Sequence, residues 1–535
     1  MFKRGRHFSM PRKKEAPFIQ GKLSNHHSER LSPALDENLR QIHARIGENG
    51  DVINREFLIF GKYRGAIVYL SSLVDEPSIY RDILKPLMLT PSHDKDLDVP
   101  CQELIDMIWC EYLHVSKGKN ISEVSLILES LFQGNTLFVV EGSSEAILLD
   151  TRTIQKRGIQ EPQTEQVIRG SREGYIEVLE TNLNLLRARL QTPDLRITIK
   201  PIGQKTKSKV AVCYLNGITN PELIDEANKR LSKINTDGIL DAGYIEQFIE
   251  DYPYSPFPQV QNTERPDKTA ASLLEGRVAI LVDGSPFALI IPAVFNQFYQ
   301  TLDDYTERFI IGSLIRTIRL VALLFSLFIP ALYVSIISFN PELIPTEFAV
   351  AVASGRAGVP YPAVVEILIM EVSMEVLREA TLRLPQLIGG ALSIVGVLVI
   401  GDAAVSAGFV SPITVVVVAL TTIGSFATPA YNAAIAVRML RFPMIILAGM
   451  FGIYGMVIGM LFIVNHVLNI DSFGVPYLSP FVPGNKQGLK DSLMRAPLWW
   501  MSHRPSHLHT LDNTRLSDND QPSTDSVLQP TREER

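Results

Sequence analysis

The sequence predicts a multi-domain protein: a cytoplasmic α/β (α+β) N-terminal region of two subdomains, followed by an α-helical transmembrane domain of about five spans. Charge is the first observation behind this. Between Leu320 and Ile470 there are 12 charged residues in 151 positions and no lysine, against 96 in the other 384. The second is that β-branched runs bounded by turn residues cluster before this block. The third is that apolar runs of the roughly 20 residues needed to cross a bilayer occur only within it. A net charge of −6 and 46% hydrophobic residues over the whole chain conceal the division. It excludes a uniformly soluble enzyme, a disordered acidic chain and a protein made only of membrane helices.

Residues 1–50 read as a flexible basic lead-in. The start, MFKRGRHFSMPRKKEAP, holds six Lys and Arg but lacks the apolar stretch of a secretory signal, which leaves the N-terminal region on the cytoplasmic side. Cys101, Cys110 and Cys213 form neither a disulfide framework nor a zinc pattern.

The first α/β subdomain is expected over 51–155. Phe57-Leu-Ile-Phe and Ala66-Ile-Val-Tyr-Leu read as strands about a Gly61–Gly65 turn. Asn135-Thr-Leu-Phe-Val-Val and Ala146-Ile-Leu-Leu read as a hairpin, with helical spacing at Val124, Leu128 and Leu131 between the two pairs. The second subdomain, 156–252, opens with a helix from Glu173 to Leu190 carrying Ile176, Leu179, Leu183, Leu186 and Leu190 on one face. Strands Leu195-Arg-Ile-Thr-Ile and Val210-Ala-Val-Cys-Tyr-Leu follow. A further helix has Pro221 in its first turn and Asn220 or Thr219 as its cap. Residues 253–315 read as a connector with a β-hairpin, because Asp283-Gly284 separates two β-branched runs and a membrane span there would bury Asp283 in lipid. No phosphate loop, GxGxxG, GxSxG or HExxH is present. His503, His507 and His509 have no acidic or thiol partner nearby in sequence, so no metal site, cofactor, nucleic-acid partner or enzymatic activity is expected.

The transmembrane domain is expected over 316–470, with clear spans at about 320–339, 386–407, 409–428 and 443–466. Arg308, Arg316 and Arg319 set the start of the first span inside, and Arg438 and Arg441 do the same for the last. An even number of crossings between those points requires a fifth span, and Tyr361–Leu384 is the candidate. The polar tail, 471–535, then falls outside, although Lys486, Lys490 and Arg495 argue for the inside. Leu498-Trp499-Trp500-Met501 suits a membrane interface.

Segment 361–384 is the most informative. With Glu366 at 0° and about 100° per residue, Glu371, Glu375 and Glu379 fall near 140°, 180° and 220°, and Val364 and Leu368 near 160° and 200°. A carboxylate facing hydrocarbon costs roughly 3 kcal/mol, so this stripe must meet water or partners. Around an axis of several copies it forms rings of glutamate below a Val364–Leu368 constriction, as in cation pores. Alternatively, the helix lies at the interface, or its glutamates pair with Arg378, Arg383 or arginines of neighbouring helices. Asp402 is a possible intramembrane ion or packing site. Gly449, Gly452, Gly455 and Gly459 suit close helix packing, and Pro330 a kink.

Glu307-Arg-Phe-Ile-Ile-Gly-Ser-Leu-Ile-Arg-Thr-Ile-Arg-Leu, the segment PYPAVVEILIMEVSMEVLREATLRLP, IGGALSIVGVLVIGDAA and LSPFVP resemble the A subunit of the GerA-type spore germination receptors, from about Glu56 to Pro483. The resemblance implies residence in the spore inner membrane, with the N-terminal region in the spore core. It implies assembly with a transporter-like, nutrient-binding B subunit and a lipoprotein C subunit. It further implies a homo-oligomer of A subunits forming a ligand-gated channel for monovalent cations, with 361–384 lining the pore. Two other readings stand beside it. An ion-coupled secondary transporter subunit would use Asp402 and the glutamates, although no paired repeat of membrane segments is evident. A signalling scaffold would use the membrane block only as an anchor.

Overall fold

The computed structural model describes residues 30–47, 49–89, 101–152, 161–382, 401–484 and 486–516. Structure begins earlier than the 1–50 lead-in allowed. Leu35–Ile46 forms helix α1, and its Leu35, Leu39, Ile42 and Ile46 recur at helical spacing and are buried in the first core. That core is built on strands β1 (Val52–Ile59), β2 (Tyr63–Leu70), β3 (Gly118–Ile121), β4 (Asn135–Val140) and β5 (Ala146–Asp150), with helix α2 (Val124–Phe132) between β3 and β4. The strands pair antiparallel in the order β1-β2-β4-β5-β3. Alternation on β4 sends Leu137 and Val139 towards α1 and α2. Phe138 and Val140 point the other way, to a second core shared with helical segments over 76–88 and 101–112. With both faces covered, the inner strands β2, β4 and β5 are largely buried and apolar, whereas the edge strands β1 and β3 keep exposed polar residues such as Arg55, Glu56 and Lys119.

The second unit contains α3 (Leu179–Arg189), β6 (Leu195–Ile202), β7 (Ser208–Leu215), α4 (Pro221–Ser232), α5 (Ala242–Ile249), β8 (Gln261–Thr263), α6 (Pro266–Leu274), β9 (Val278–Val282) and β10 (Ala288–Ile291). Its sheet order is β6-β7-β9-β10-β8. The hairpin placed in a 253–315 connector therefore supplies two inner strands of this sheet, and the unit does not close at 252. Every residue of β9 and β10 is buried, which a connector would not require. The helix expected from Glu173 starts only at Leu179, because the Asn182 side chain bonds both the N–H and the carbonyl of Ile176 and holds that residue outside the helix. Asn220 caps α4 by accepting from the Glu222 N–H at 3.1 Å, with Pro221 in the first turn.

The two units are copies of one plan. Taken in order within each unit, the strands run 1-2-4-5-3 in both sheets. Ser130-Leu-Phe-Gln-Gly134 corresponds to Ser272-Leu-Leu-Glu-Gly276, and Val140-Glu-Gly142-Ser to Val282-Asp-Gly284-Ser. Gly142 and Gly284 both turn their hairpins at positive φ, 87° and 89°, where a side chain is disfavoured. Their amides donate to equivalent carbonyls, of Pro33 and Glu177. Buried Asn38 clamps Ser32 through both its amide groups just as Asn182 clamps Ile176. The units meet at Arg187 of α3, which is fully buried and reaches across to Asp51 through two bonds of 2.9 and 3.0 Å. Asn49 and Gly50 also bond the backbone of Ile197, tying the end of the first unit's entry loop to β6.

Beyond the second unit, a short helix over Asp303–Thr306 leads into α7 (Phe309–Phe339). Asp304, 1% exposed, receives both Arg316 and Arg319 from the first turns of α7, and Arg316 extends to Asp491 at 2.8 Å. After α7 come α8 (Thr346–Arg356), α9 (Ala363–Leu382), α10 (Pro412–Phe426) and α11 (Tyr431–Leu468). Among the described residues, α7 and α11 are the helices long and apolar enough to cross a membrane by length and composition. The span expected at 386–407 lies outside the described residues up to position 400.

Helix α11 replaces the single span expected over 443–466. It doubles back at Gly452, whose φ of 59° and ψ of −140° belong to glycine alone. Straight, its 38 residues would reach about 57 Å. Instead Ala433 and Ala436 near its start share one apolar cluster with Val467 near its end. The glycine seam explains itself in this hairpin. A methyl group on Gly455 would strike the Leu447 carbonyl, and one on Gly459 would strike Met444 across the two halves. Phe339, at the end of α7, packs on Gly452 at the tip. Both ends of α11 return to the second unit: Ala430 N–H donates to the Phe298 carbonyl, and His466 Nε2 lies 2.9 Å from the Ser255 hydroxyl.

Consequently the tail is not a free polar segment. Ser472 bonds Gln259 and Ala293, Arg230 stacks on Phe473 at 4.0 Å, and Leu511 N–H donates to Ile218. Its described part lies on the second unit, on the same side of the helices as that unit.

Two outcomes follow for stability. Arg187→Leu strands a buried Asp51 carboxylate and is expected to cost about 3–5 kcal/mol. Adding Asp51→Leu is expected to recover most of it, read by denaturant unfolding of the full chain. In α5, burial and then the charges of Glu250 and Asp241 push the Glu246 carboxyl up to about 7. An acid raised in the folded state binds more protons there than when unfolded. Stability is therefore expected to fall as pH rises from about 4.5 to about 7, and Glu246→Gln to flatten that slope in thermal melts.

Candidate functional site

Helix α9 carries its acids through the helical block as a ladder with three rungs. The first is Glu366, with no exposed surface. Its Oε1 accepts from Arg356 Nε at 3.0 Å, and its Oε2 from the Ser411 N–H at 3.0 Å and the Thr414 hydroxyl at 2.9 Å. Ser411 caps α10 and Pro412 opens it, so this carboxylate also sits at a helix N-terminus, where partial positive charge favours it. Tyr333 of α7 completes the group at 3.3 Å from Thr414.

The second rung is Glu371, 4% exposed, bound to Arg441 Nη1 at 2.6 Å and approached by the Thr421 hydroxyl at 3.4 Å. Nε and Nη2 of Arg441 find no acceptor among the described residues. The third is Glu375, whose side chain is 46% exposed; it bonds Arg378 at 2.7 Å and lies 3.5 Å from Arg438. Arg378 stacks over Phe426 of α10, and Arg438 over Tyr431 of α11. Three carboxylates thus face four guanidinium groups, most of them removed from solvent. Removing charges from water is expensive, and this geometry holds them only because each acid has a cation at bonding distance.

The other expected site residues fall along the same line. Val364 is half-buried, and its Cγ2 would lie 2.6 Å from a methyl group placed on Gly449. Leu368 is half-buried in the apolar cluster of α7, α9, α10 and α11. Hence the stripe of Val364, Leu368, Glu371 and Glu375 runs beside the first half of α11, meeting Gly449, Arg441 and Arg438 in turn. Glu379 is exposed one turn further on. Ile369, Val372 and Val376 form an apolar face exposed on this chain. Asp402 stands apart from the ladder, exposed on a helical stretch over 401–406. Sequence reasoning missed Arg356, Ser411 and Thr414. The Ser411-Pro412 pair was the available signal, since it marks a helix start inside what was read as one span from 409.

The chain matches the family described as Bacillus/Clostridium GerA spore germination protein over residues 40–507. It belongs to the GerA family, as an A-type subunit of spore germination receptors. Spore germination protein KA of Bacillus subtilis (strain 168) is 42% identical over 494 residues, covering 92% of this chain and 90% of that protein. A protein of the same organism described as the uncharacterized membrane protein YfkQ is 42% identical over 483 residues, covering 90% and 93%. The crystal structure of the N-terminal domain of the A subunit of the Bacillus megaterium spore germinant receptor GerK3 is 35% identical. It aligns with 51% of this chain and 99% of that one at a TM-score of 0.39. The ladder of α9 lies within the region matched to the GerA family.

Neutralising Glu371 leaves Arg441 buried without its acid, so Glu371→Gln in this GerA protein is expected to lower stability by about 3–5 kcal/mol. The paired change Glu371→Leu with Arg441→Leu is expected to restore most of it. Thermal unfolding of the detergent-purified chain checks both.

Proposed function

We propose that this protein is a subunit of a nutrient-responsive spore germination receptor. In this reading it forms an oligomeric ligand-gated cation channel in the spore inner membrane, and its opening triggers ion release and germination. A transporter-like B subunit binds the nutrient, a lipoprotein C subunit completes the complex, and the two α/β units face the spore core. The observation that carries the reading is α9, an apolar helix with acids at 366, 371, 375 and 379. Glu366 and Glu371 anchor the helix to α10 and α11. Glu375 and Glu379, the more exposed acids, attract cations at the end nearer the α/β units, while Val364 and Leu368 form the constriction above them. A shift of α9 along α11 retracts the two aliphatic side chains and admits water.

The pairing of Glu366, Glu371 and Glu375 with Arg356, Arg441 and Arg438 favours a second reading. In it the acids serve packing alone, and the membrane block anchors a signalling scaffold without its own ion path. Potassium release from spores separates the two. For a gate, Leu368→Ala spores leak potassium without nutrient, and adding Glu375→Gln suppresses the leak. Spores that assemble the Leu368→Ala protein normally, retain their potassium and germinate at the usual nutrient threshold leave α9 as packing and sink the channel assignment.

A further inference from the structure

Where the second unit, the base of α7 and the tail meet, they enclose a cavity of about 300 Å³. Helix α6 supplies Lys268 and Ser272, and the loop after it supplies Glu275 and Arg277. Leu302 and Tyr305 come from the approach to α7, and the tail closes the remaining side. That closure is specific: Arg504 Nε donates to the Leu274 carbonyl at 2.9 Å, and Arg515 N–H returns to Ser502 at 2.8 Å.

Two features of the wall point to a ligand. The first is charge. Lys268, Arg277, Lys490, Arg504 and Arg515 line the cavity against the acids Glu275 and Asp491. Asp491 is already engaged by Arg316 and by the Tyr305 hydroxyl. The carboxylates that pair with Lys268 and Arg504, Glu165 and Asp512, lie off the wall. The second is His507. Its Nε2 is sealed from solvent and no hydrogen-bond partner reaches it among the described residues, a loss that a buried polar atom does not bear without cause. Burial, with the charges of Arg277 and His509, pushes the imidazole down to about 3, so it is neutral. The lining also has an apolar part, with Trp500, Met501 and Pro480.

We infer that this cavity binds a small organic phosphate, its oxygens served by the cationic wall and His507 Nε2 and its carbon body resting on Trp500 and Met501. Cations on separate segments, of which Lys490 and Arg515 are the two without an acid named above, suit a phosphate, which offers more acceptor oxygens than a carboxylate. The mouth carries Leu498 and Trp500, 47% and 59% exposed, and Trp499 packs edge-on against Phe309 where α7 begins. Two sources of the same chemistry reach such a position: the headgroup of an anionic phospholipid, or a soluble phosphate ester. The site is independent of the ion path, since none of its residues belongs to α9, α10 or α11.

The test uses the full chain in nanodiscs, with tryptophan fluorescence as the readout, because Trp500, one of three tryptophans, lines the cavity and Trp499 is next to it in the chain. In phosphatidylcholine discs, a saturable response to sn-glycerol 3-phosphate assigns a soluble ligand. A response produced only by mixing phosphatidylglycerol into the discs assigns a lipid headgroup. Either response is expected to weaken at least about tenfold in Arg515→Gln, the loss of one charge-assisted contact, and in His507→Phe. Arg515 is exposed, so its variant tests the site without disturbing the core. No saturable response in either disc, or a response unchanged by Arg515→Gln and His507→Phe together, overturns the inference.

Discussion

Asp304 stands between Arg316 and Arg319 at the point where the chain passes from its α/β units into its apolar helices, and almost none of its surface is exposed. Burial alone would raise this carboxyl, but Arg319 and Arg316 reverse the effect and hold it below the usual carboxylate range. Much else hangs from this knot. Arg316 passes the connection to Asp491, Tyr305 bonds the same acid, and Arg495 bonds the Glu307 carbonyl, so the short helix, the first turns of α7 and the tail are held as one piece. A buried charge cluster of this kind adds little net stability over an apolar one, and its directional bonds join the short helix, α7 and the tail at fixed points. Here that arrangement sets the position of the helical block beneath the second unit.

The same economy of pairing recurs twice. Arg187 and Asp51 fix the first unit to the second, and the ladder of α9 fixes that helix to α10 and α11. In each place a charge has been carried into the interior together with its partner. The α/β units themselves are held differently, by aliphatic cores on both faces of each sheet. A rigid, apolar pair of repeats therefore connects through polar joints to a helical block whose own joints are also polar.

How much of this was legible depended on whether the deciding contact was local. The strands were legible because burial on both faces makes them unbroken apolar runs, as in Val278–Val282. The acids of α9 stood out because glutamate is costly among residues such as Val364 and Met370. Helix α1 was hidden, since LDENLRQIHARI is polar on average and its buried stripe appears only against the sheet. The repeat was hidden because the identities it rests on are scattered: Asn38 and Asn182, and two short segments, Ser130–Gly134 against Ser272–Gly276 and Val140–Ser143 against Val282–Ser285. The fold-back at Gly452 escaped notice because hydropathy records depth and carries no information about direction. Arg356, Ser411 and Thr414 could not be assigned to Glu366, since that grouping exists only once three helices have packed.

The fold-back of α11 also imposes an order of assembly. Chains fold from the N-terminus as they are synthesised, so both α/β units can close their sheets before any apolar helix is made. The residues that lie on the second unit near Ile218 and Leu274 come from beyond position 500, after the whole helical block. They reach their places only if α11 has reversed at Gly452 and brought Leu468 back to the face that Phe257 and Tyr477 occupy. Docking of the tail is thus the last of these contacts to become available as the chain is made, and it requires that the helices before it have been threaded correctly.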